Sequence, residues 1–254
     1  MTAPWTPPAP RSAHNRALIT LVIDTSASIG EIGALDGLNQ SLRAWGNDMR
    51  ADANLQRTAQ IALVTFGHGG VRTVDASGAT TAEPPDPFVD VARFNPAALQ
   101  SGGYSPMLEG IERGIEIVYA GAESLDRQNL LLAWRPILCL ISDGAPTDFQ
   151  GRPTGRLAEV TRRIRQEEAG HNLIFLAIGV PGADDEALRT LAGPDGYYPL
   201  AQVNFMQALT LVSNSSPRLK AMAGTGSAEE IKREFRRDVE ADDESRSWLM
   251  GGPL

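Results

Sequence analysis

The stretch LITLVIDTSASIGE, residues 18–31, places a short apolar run directly before three polar residues at alternate positions. The run LITLVI is continuously apolar, which is typical of a strand that is covered on both faces of a sheet. Asp24, Ser26 and Ser28 follow at its end, and apolar residues recur at helical spacing over residues 31–49. The stretch is therefore open to two interpretations, a metal-binding loop or a strand end followed by a capped helix.

Similar apolar runs recur along the chain and alternate with helical patterns. Further strands are predicted at residues 60–66, 71–74, 135–142, 172–180 and 196–201, and helices at residues 106–120, 156–168, 184–192 and 204–214. Residues 75–100 are rich in proline and are predicted as a loop with a short helix near Val89. Strands that alternate with helices predict an α/β fold, a doubly wound and mostly parallel sheet flanked by helices on both faces.

The ends of the chain differ in composition from the middle. Residues 1–16 are rich in proline and are predicted as a flexible arm, whereas residues 17–216 carry the α/β pattern. Residues 217–254 form a polar, helix-prone tail whose apolar residues recur at i, i+4 and i+8. These residues are Ile231, Phe235 and Val239. Such a narrow apolar stripe is suited to docking on the parent domain or on a partner.

The composition excludes several classes of protein. The net charge of −8 argues against a nucleic-acid binder, because such proteins carry a basic stripe. The single cysteine, Cys139, excludes an internal disulfide and a cysteine-based zinc cluster. The chain has neither the apolar core of a signal peptide nor a run long enough to span a membrane, so we expect a cytoplasmic protein.

Three polar segments follow predicted strands or begin predicted helices, and ligands of doubly wound sheets bind at the carboxyl ends of the strands. The segments are DTSAS, GGYSPMLEG at residues 102–110 and ISDGAPTD at residues 141–148. Together they offer two carboxylates and three hydroxyls, which are hard oxygen donors suited to Mg²⁺ rather than to zinc. The candidate metal ligands are Asp24, Ser26, Ser28, Ser105 and Asp143.

Helix capping is the structural alternative for two of the serines. Ser28 and Glu31 match the capping box S-x-x-E. Ser105 precedes a proline, as an N-cap residue before proline in the first helical position does. Capping alone would therefore explain both hydroxyls without a metal.

The two carboxylates have structural alternatives as well. Asp143 and Gly144 form a common turn pair, and Asp24 is placed to accept backbone N–H groups. Ser26 is the residue that these alternatives explain least, because Ser28 already stands where a cap is expected. Taken one by one, the residues do not decide between the two interpretations.

The three segments share a family resemblance. DTSAS resembles the D-x-S-x-S signature of von Willebrand factor A domains, which carry a metal-ion-dependent adhesion site. GGYSPMLEGI is similar to the second motif of that family, with Ser105 in the place of threonine, and LISDGAPTD resembles the third. The resemblance covers residues 17–215. GYSPM, SDGAPTD and NFMQALTLVSNSSP most resemble bacterial cytoplasmic members that are associated with tellurium resistance and stress operons.

The resemblance implies a function and a role for each candidate residue. It implies that Ser26, Ser28 and Ser105 ligate Mg²⁺, Mn²⁺ or Ca²⁺ directly. Asp24 and Asp143 would ligate the ion directly or through water, and an acidic side chain of a protein partner would complete the sphere. The expected function is a non-enzymatic, metal-dependent protein–protein interaction module. Serine lacks the methyl group that restricts threonine's rotamers, so the metal affinity is expected to be lower than the family's.

An enzyme is the alternative class. A phosphohydrolase of the haloacid-dehalogenase type would attack through Asp24, but such enzymes carry D-x-D and Ser26 stands in place of the second aspartate. They also need a lysine near the site, and the only lysines are Lys220 and Lys232 in the tail. His68, in the loop FGHGG, is predicted to be solvated rather than functional.

Overall fold

The computed structural model of the protein describes residues 15–144, 146–199 and 226–241. The strands in these ranges are β1 (Ala17–Thr25), β2 (Ala59–Gly67), β3 (Arg72–Val74), β4 (Val89–Asp90), β5 (Ile137–Ser142), β6 (Ile174–Gly179) and β7 (Tyr197–Pro199). The helices are α1 (Ala27–Glu31), α2 (Ala34–Ala51), α3 (Ala53–Thr58), α4 (Met107–Arg127), α5 (Leu157–Ala169), α6 (Asp185–Ala192) and α7 (Ala228–Ala241). Among the described helices, none has the length and apolarity that crossing a membrane requires.

The strands form one sheet in the order β3-β2-β1-β5-β6-β7, and β4 pairs with β2 outside this path. β1 runs parallel to β2 and β5, and β6 runs parallel to β5 and β7. Only β3 and β4, among the described strands, are antiparallel to their neighbour. This topology confirms the predicted mostly parallel, doubly wound sheet. The strand predicted at residues 71–74 corresponds to β3, which pairs antiparallel with β2.

The sheet has an apolar layer on each face, which explains why β1 is apolar before Asp24 at every position except Thr20. Ile19, Leu21 and Ile23 pack in one layer with residues of α2, while Leu18 and Val22 pack in the other with residues of α4. Successive side chains of a strand point to opposite faces, so both registers of β1 must be apolar. The only polar side chains that a buried strand can then present without cost are those at its end.

Several predicted elements differ from the structure. The helix predicted over residues 31–49 is divided by Gly33, whose φ of 70° is a left-handed conformation, and α3 was not predicted. The short helix predicted near Val89 is a 3-10 helix at Val91–Arg93, and Val89 itself lies in β4, which pairs with β2. The helix predicted at residues 204–214 lies outside the described residues.

The described part of the tail packs against the domain. Ile231 and Phe235 are buried in the same apolar layer as α2, and the Phe235 ring meets the Tyr198 ring edge to face at 5.7 Å. The stripe therefore docks on the parent domain at these two positions. The side chain of Val239 lies outside the description.

The polar run RRIRQEE of α5, residues 162–168, contains a buried carboxylate, that of Glu168. Glu168 is 2% exposed, and its Oε1 lies 2.5 Å from Nζ of Lys232 on α7. The same Oε1 accepts the N–H of Phe175 at 3.0 Å, and Oε2 pairs with Arg165. A sequence pattern misses this arrangement because the lysine comes from a helix more than sixty residues away.

Candidate functional site

The structure brings all five predicted residues to the carboxyl edge of the sheet. Asp24 is near the end of β1 and Asp143 directly follows β5, the parallel neighbour of β1. Ser26 and Ser28 lie at the start of α1, and Ser105 lies just before α4. Parallel neighbours end at the same edge, which is why segments more than seventy residues apart meet there.

Asp24 is the centre of a hydrogen-bond network and is only 1% exposed. Its Oδ1 accepts the backbone N–H of Ser26 at 2.8 Å. Its Oδ2 accepts the hydroxyls of Ser105 at 3.2 Å and of Ser142 at 2.7 Å. Both carboxylate oxygens are therefore held by groups from three different segments of the chain.

Asp143 faces the same cluster but is held at one oxygen only. Its Oδ2 accepts the hydroxyl of Ser28, and the hydroxyls of Ser28 and Ser26 lie 3.0 Å apart. Its Oδ1 is buried and has no hydrogen-bond partner among the described residues. A buried polar atom without a partner costs about 1–3 kcal/mol, so this oxygen marks an incomplete site.

The two carboxylates repel each other. Burial and, after it, the charge of Asp143 raise the pKa of Asp24 to about 6, and the hydrogen bonds from Ser26 and Ser142 oppose this shift. No described basic side chain forms an ion pair with Asp24 or Asp143. The cluster therefore holds two carboxyl groups with no compensating cation from the described part of the chain.

The capping alternatives do not hold for the serines. Helix α1 begins at Ala27, so Ser28 lies inside the helix and the capping box with Glu31 is wrong. Ser26 occupies the N-cap position without a side-chain cap hydrogen bond. The proline after Ser105 is the N-cap of α4, and Ser105 donates to Asp24 instead. All three hydroxyls thus serve the carboxylate cluster rather than a helix end.

Ser142 belongs to the cluster and was not predicted from the sequence. It is fully buried, donates to Asp24 and accepts the N–H of Gly144 at 2.9 Å. Gly144 has a φ of 79°, in agreement with the predicted turn at Asp143. Ser142 ends the apolar run PILCLIS, where it was assigned only to the strand. A hydroxyl at the last position of a strand beside Asp24 was the available signal.

Close backbone contacts fix the loops of the site. Gly67 ends β2 with a φ of 119°, and a Cβ there would lie 2.3 Å from the backbone nitrogen of Ser26. Gly103 has a φ of 75°, and a Cβ there would lie 2.6 Å from the carbonyl oxygen of Gly67. The N–H of Ala27 donates to the Gly103 carbonyl at 3.1 Å. Only glycine permits this spacing at residues 67 and 103.

The cluster opens into a cavity of about 440 Å³. The lining residues are Ser26, Ala27, Ser28, Gly103, Tyr104, Ser105, Asp143, Thr147, Gly182, Ala183 and Asp184. His68 lies instead in a separate cavity of about 320 Å³, beside Arg72. No group of three or more His, Cys, Asp or Glu side chains is gathered for a metal within the described ranges, so hydroxyls must supply the further donors of any metal site here.

The fold is similar to that of several solved structures. Proximal thread matrix protein 1 of the mussel byssus gives a TM-score of 0.53 at 17% identity, over 78% of this chain and 47% of that one. The pilus adhesin SpaC of Lactobacillus rhamnosus GG gives 0.54 at 14% identity, over 89% and 31%. The von Willebrand factor domain of the pilus tip protein Mfa5 of Porphyromonas gingivalis gives 0.53 at 12% identity, over 85% and 99%. The chain thus spans about half the length of the thread matrix protein and about a third of the length of SpaC.

A comparison of sequences gives the family. No curated protein matches the chain. The model of the von Willebrand factor type A domain matches residues 19–214, which include the whole candidate site and most of the chain. The chain therefore belongs to the von Willebrand factor type A domain family.

Proposed function

We propose that this protein is a non-enzymatic interaction module whose partner binding depends on a divalent cation at the carboxylate cluster. Domains of its family are typically adhesion or protein-interaction modules. The observation that carries the proposal is the pairing of buried Asp24 with half-buried Asp143, whose buried Oδ1 has no partner, together with the lack of a described basic partner for either carboxyl group. The proposed ligands are Asp24, Ser26, Ser28, Ser105 and Asp143.

The donor set suits a small, hard dication. Asp24 and Asp143 would balance two positive charges, and the three serine hydroxyls add oxygen donors without adding charge. The lining of the cavity contains no histidine and no cysteine, which zinc and copper sites usually use. Mg²⁺ is the expected ion, and Mn²⁺ and Ca²⁺ share its preference for oxygen ligands.

Some residues of the site would bind the ion, and others hold the ligands in position. Ser142 and the N–H of Ser26 hold the Asp24 carboxylate in one orientation, and the Ser28 hydroxyl holds that of Asp143. The loop around Gly103 fastens the start of α1 beside them. When bound, the ion would supply a positive centre that attracts an acidic side chain of the partner.

The surroundings of Asp24 do not favour the phosphohydrolase alternative. Such an enzyme needs a basic side chain near the nucleophile, and the lining of the cavity contains no lysine, arginine or histidine. Lys232 lies against Glu168 and Ala192, where it is 3% exposed and away from the cluster. We therefore assign no catalytic residue.

The cellular setting follows from sequence motifs alone. GYSPM and SDGAPTD support a place among the tellurium-resistance-associated members of the family, and hence in a cytoplasmic stress-response or signalling system. The partner is expected to be a protein that supplies an acidic side chain, rather than a nucleic acid or a membrane.

Calorimetric titration with Mn²⁺ tests the metal site. The wild type is expected to bind one ion, and Asp143→Asn to lose at least about a hundredfold in affinity because it removes one of the two charges. The matched control is Asp48→Asn, which changes an exposed aspartate of α2 and should bind as the wild type does. Equal binding by Asp143→Asn and the wild type would overturn the assignment.

A further inference from the structure

Exposed apolar side chains stand on three of the segments that form the site. Ile32, Tyr104 and Phe149 are 47%, 57% and 53% exposed, and we call them the apolar collar. They are three of the six large hydrophobic side chains that are exposed in the described part of the chain. Tyr104 lines the cavity, whereas Ile32 follows Ser28 by four residues and Phe149 follows Asp143 by six. Exposed apolar side chains on the segments of a binding site are typical of a surface that contacts a protein partner.

Tyr104 is held in place although it is exposed. It lines the cavity directly beside Ser105, and a Cβ at Gly151 would lie 2.5 Å from two atoms of its ring. Its ring therefore rests on the backbone of the loop that carries Gly151. A side chain that is fixed in this way loses little conformational entropy when a partner packs on it.

The other two members of the collar are fastened to the site by short contacts. Phe149 stands on the loop after Asp143, and Thr147 ties that loop to Ser105 by two hydrogen bonds of 2.9 and 3.0 Å. Ile32 ends α1, and its N–H donates to the carbonyl of Ser28 at 3.1 Å. Hydrogen bonds thus connect the segments of Ile32 and Phe149 to residues of the carboxylate cluster.

The charged groups that line the cavity limit which side chains a partner can place in it. Its lining contains no lysine, arginine or histidine, so a bound cation would be the only positive charge to meet an anion there. Asp184 lines the cavity next to Asp143, whose carbonyl accepts its N–H at 2.7 Å, and the carboxylate of Asp184 accepts the N–H of Ala187. A second negative charge on the partner would be repelled by Asp184, whereas an apolar neighbour would find Tyr104.

We propose that the partner binds through a segment in which a single aspartate or glutamate is adjacent to an aromatic or large aliphatic residue. The carboxylate meets the cation and the apolar side chain packs on Tyr104 and Phe149 of the collar. This proposal rests on the metal-dependent function proposed above. It adds that the collar selects the residue beside the carboxylate and that Asp184 disfavours runs of acidic residues.

Four blocked peptides test the selection on the full-length protein loaded with Mn²⁺. Acetyl-Gly-Asp-Trp-Gly-amide is expected to bind about fivefold more tightly than the same peptide with glycine in place of tryptophan, because the indole buries apolar area. Acetyl-Gly-Asn-Trp-Gly-amide is expected not to bind. Acetyl-Gly-Asp-Asp-Gly-amide is expected to bind no more tightly than the glycine peptide. NMR titration gives the affinities.

Two tyrosine variants locate the effect. Tyr104→Ala is expected to reduce the preference for tryptophan below about twofold while its affinity for the glycine peptide stays the same. Tyr119→Ala removes another exposed tyrosine, on α4, and should keep the preference of the wild type. Equal affinities of the tryptophan and glycine peptides, or an unchanged preference in Tyr104→Ala, would overturn the role of the collar.

The same samples separate the two proposals. The relaxation rate of the water protons reports bound Mn²⁺ independently of the peptides. If Mn²⁺ does not bind, the proposed function fails and the peptide selection fails with it. If Mn²⁺ binds but the aspartate peptides do not, or the asparagine or diaspartate peptide matches the tryptophan one, the metal site stands and the peptide selection is wrong.

Discussion

The protein buries carboxyl groups at both ends of the strands of its sheet, and the partners of these groups differ. Near the start of β6, Glu168 meets the ammonium group of Lys232 at 2.5 Å, the N–H of Phe175 and the guanidinium of Arg165. At the carboxyl ends of β1 and β5, Asp24 and Asp143 meet backbone N–H groups and serine hydroxyls only. The first carboxylate has its cation within the chain, and the second pair has none in the described residues.

The difference separates a structural ion pair from a site that needs a ligand. Burial lowers the pKa of Lys232, and the charge of Glu168 opposes that shift. At Asp24, burial and the neighbouring carboxylate act in the same direction and raise its pKa. An uncompensated charge pair of this kind lowers stability and persists at binding sites, where a ligand supplies the missing charge.

Removing the internal cation should have the largest effect on stability. Lys232→Met keeps the length of the side chain but leaves Glu168 buried without its main partner. We expect the free energy of unfolding to fall by about 3 kcal/mol, as measured by urea denaturation.

A neighbouring residue of the same helix provides the control. Arg233 is about half exposed and lies 3.7 Å from Asp195, so Arg233→Met should change the free energy of unfolding by less than about 1 kcal/mol. Equal losses in the two variants would mean that the Lys232–Glu168 pair contributes no more than a surface contact, and the comparison of the two ends would fail.

At the carboxyl ends of β1 and β5, removing a charged group should raise the free energy of unfolding rather than lower it. Asp24→Asn removes one of two repelling charges, and asparagine can still accept the N–H of Ser26. In metal-free buffer at pH 7.5 we expect the free energy of unfolding to rise by about 2 kcal/mol. A pKa of about 6 against 3.8 corresponds to about 3 kcal/mol, and the weaker hydrogen bonds that asparagine makes offset part of it. Destabilisation by the same variant would contradict the account of the cluster.

The pH dependence should follow from the same group. A carboxyl whose pKa is raised on folding binds protons more tightly in the folded state, so its contribution to stability is present at low pH. That contribution is lost as the pH rises from about 4 through the folded pKa of about 6. The advantage of Asp24→Asn over the wild type should therefore disappear by pH 4, and an advantage that does not vary with pH would exclude Asp24 as its source.

The smallest effect is expected on metal affinity, in variants of Ser142, the residue that positions the Asp24 carboxylate. Ser142→Ala removes the hydroxyl that donates to Asp24 Oδ2, and loss of such a supporting contact weakens metal binding by about 10–100-fold. Ser142→Thr retains a hydroxyl and should restore most of the affinity for Mn²⁺. If alanine and threonine weaken binding equally, packing rather than the hydrogen bond explains the loss.

The sequence predicted the parts of the site that local chemistry encodes. Asp24, Ser105 and Asp143 stand where apolar strands end or a helix begins, and a parallel sheet brings such positions to one edge. The capping box at Ser28 failed because α1 begins two residues earlier than that motif needs. The Lys232–Glu168 pair joins two polar helical faces, and nothing in either face alone distinguishes a buried charge from a solvated one.

The effect of Mg²⁺ on the stability of the wild type and of Asp24→Asn tests the central claim most directly. With Mg²⁺ at a hundredfold excess over its dissociation constant, the free energy of unfolding of the wild type should rise by about 2.7 kcal/mol. The free energy of unfolding of Asp24→Asn should stay unchanged. The stability advantage of Asp24→Asn over the wild type should therefore become smaller or reverse. An equal response of both proteins to Mg²⁺, or none in the wild type, would contradict the proposal that this cluster is completed by a cation.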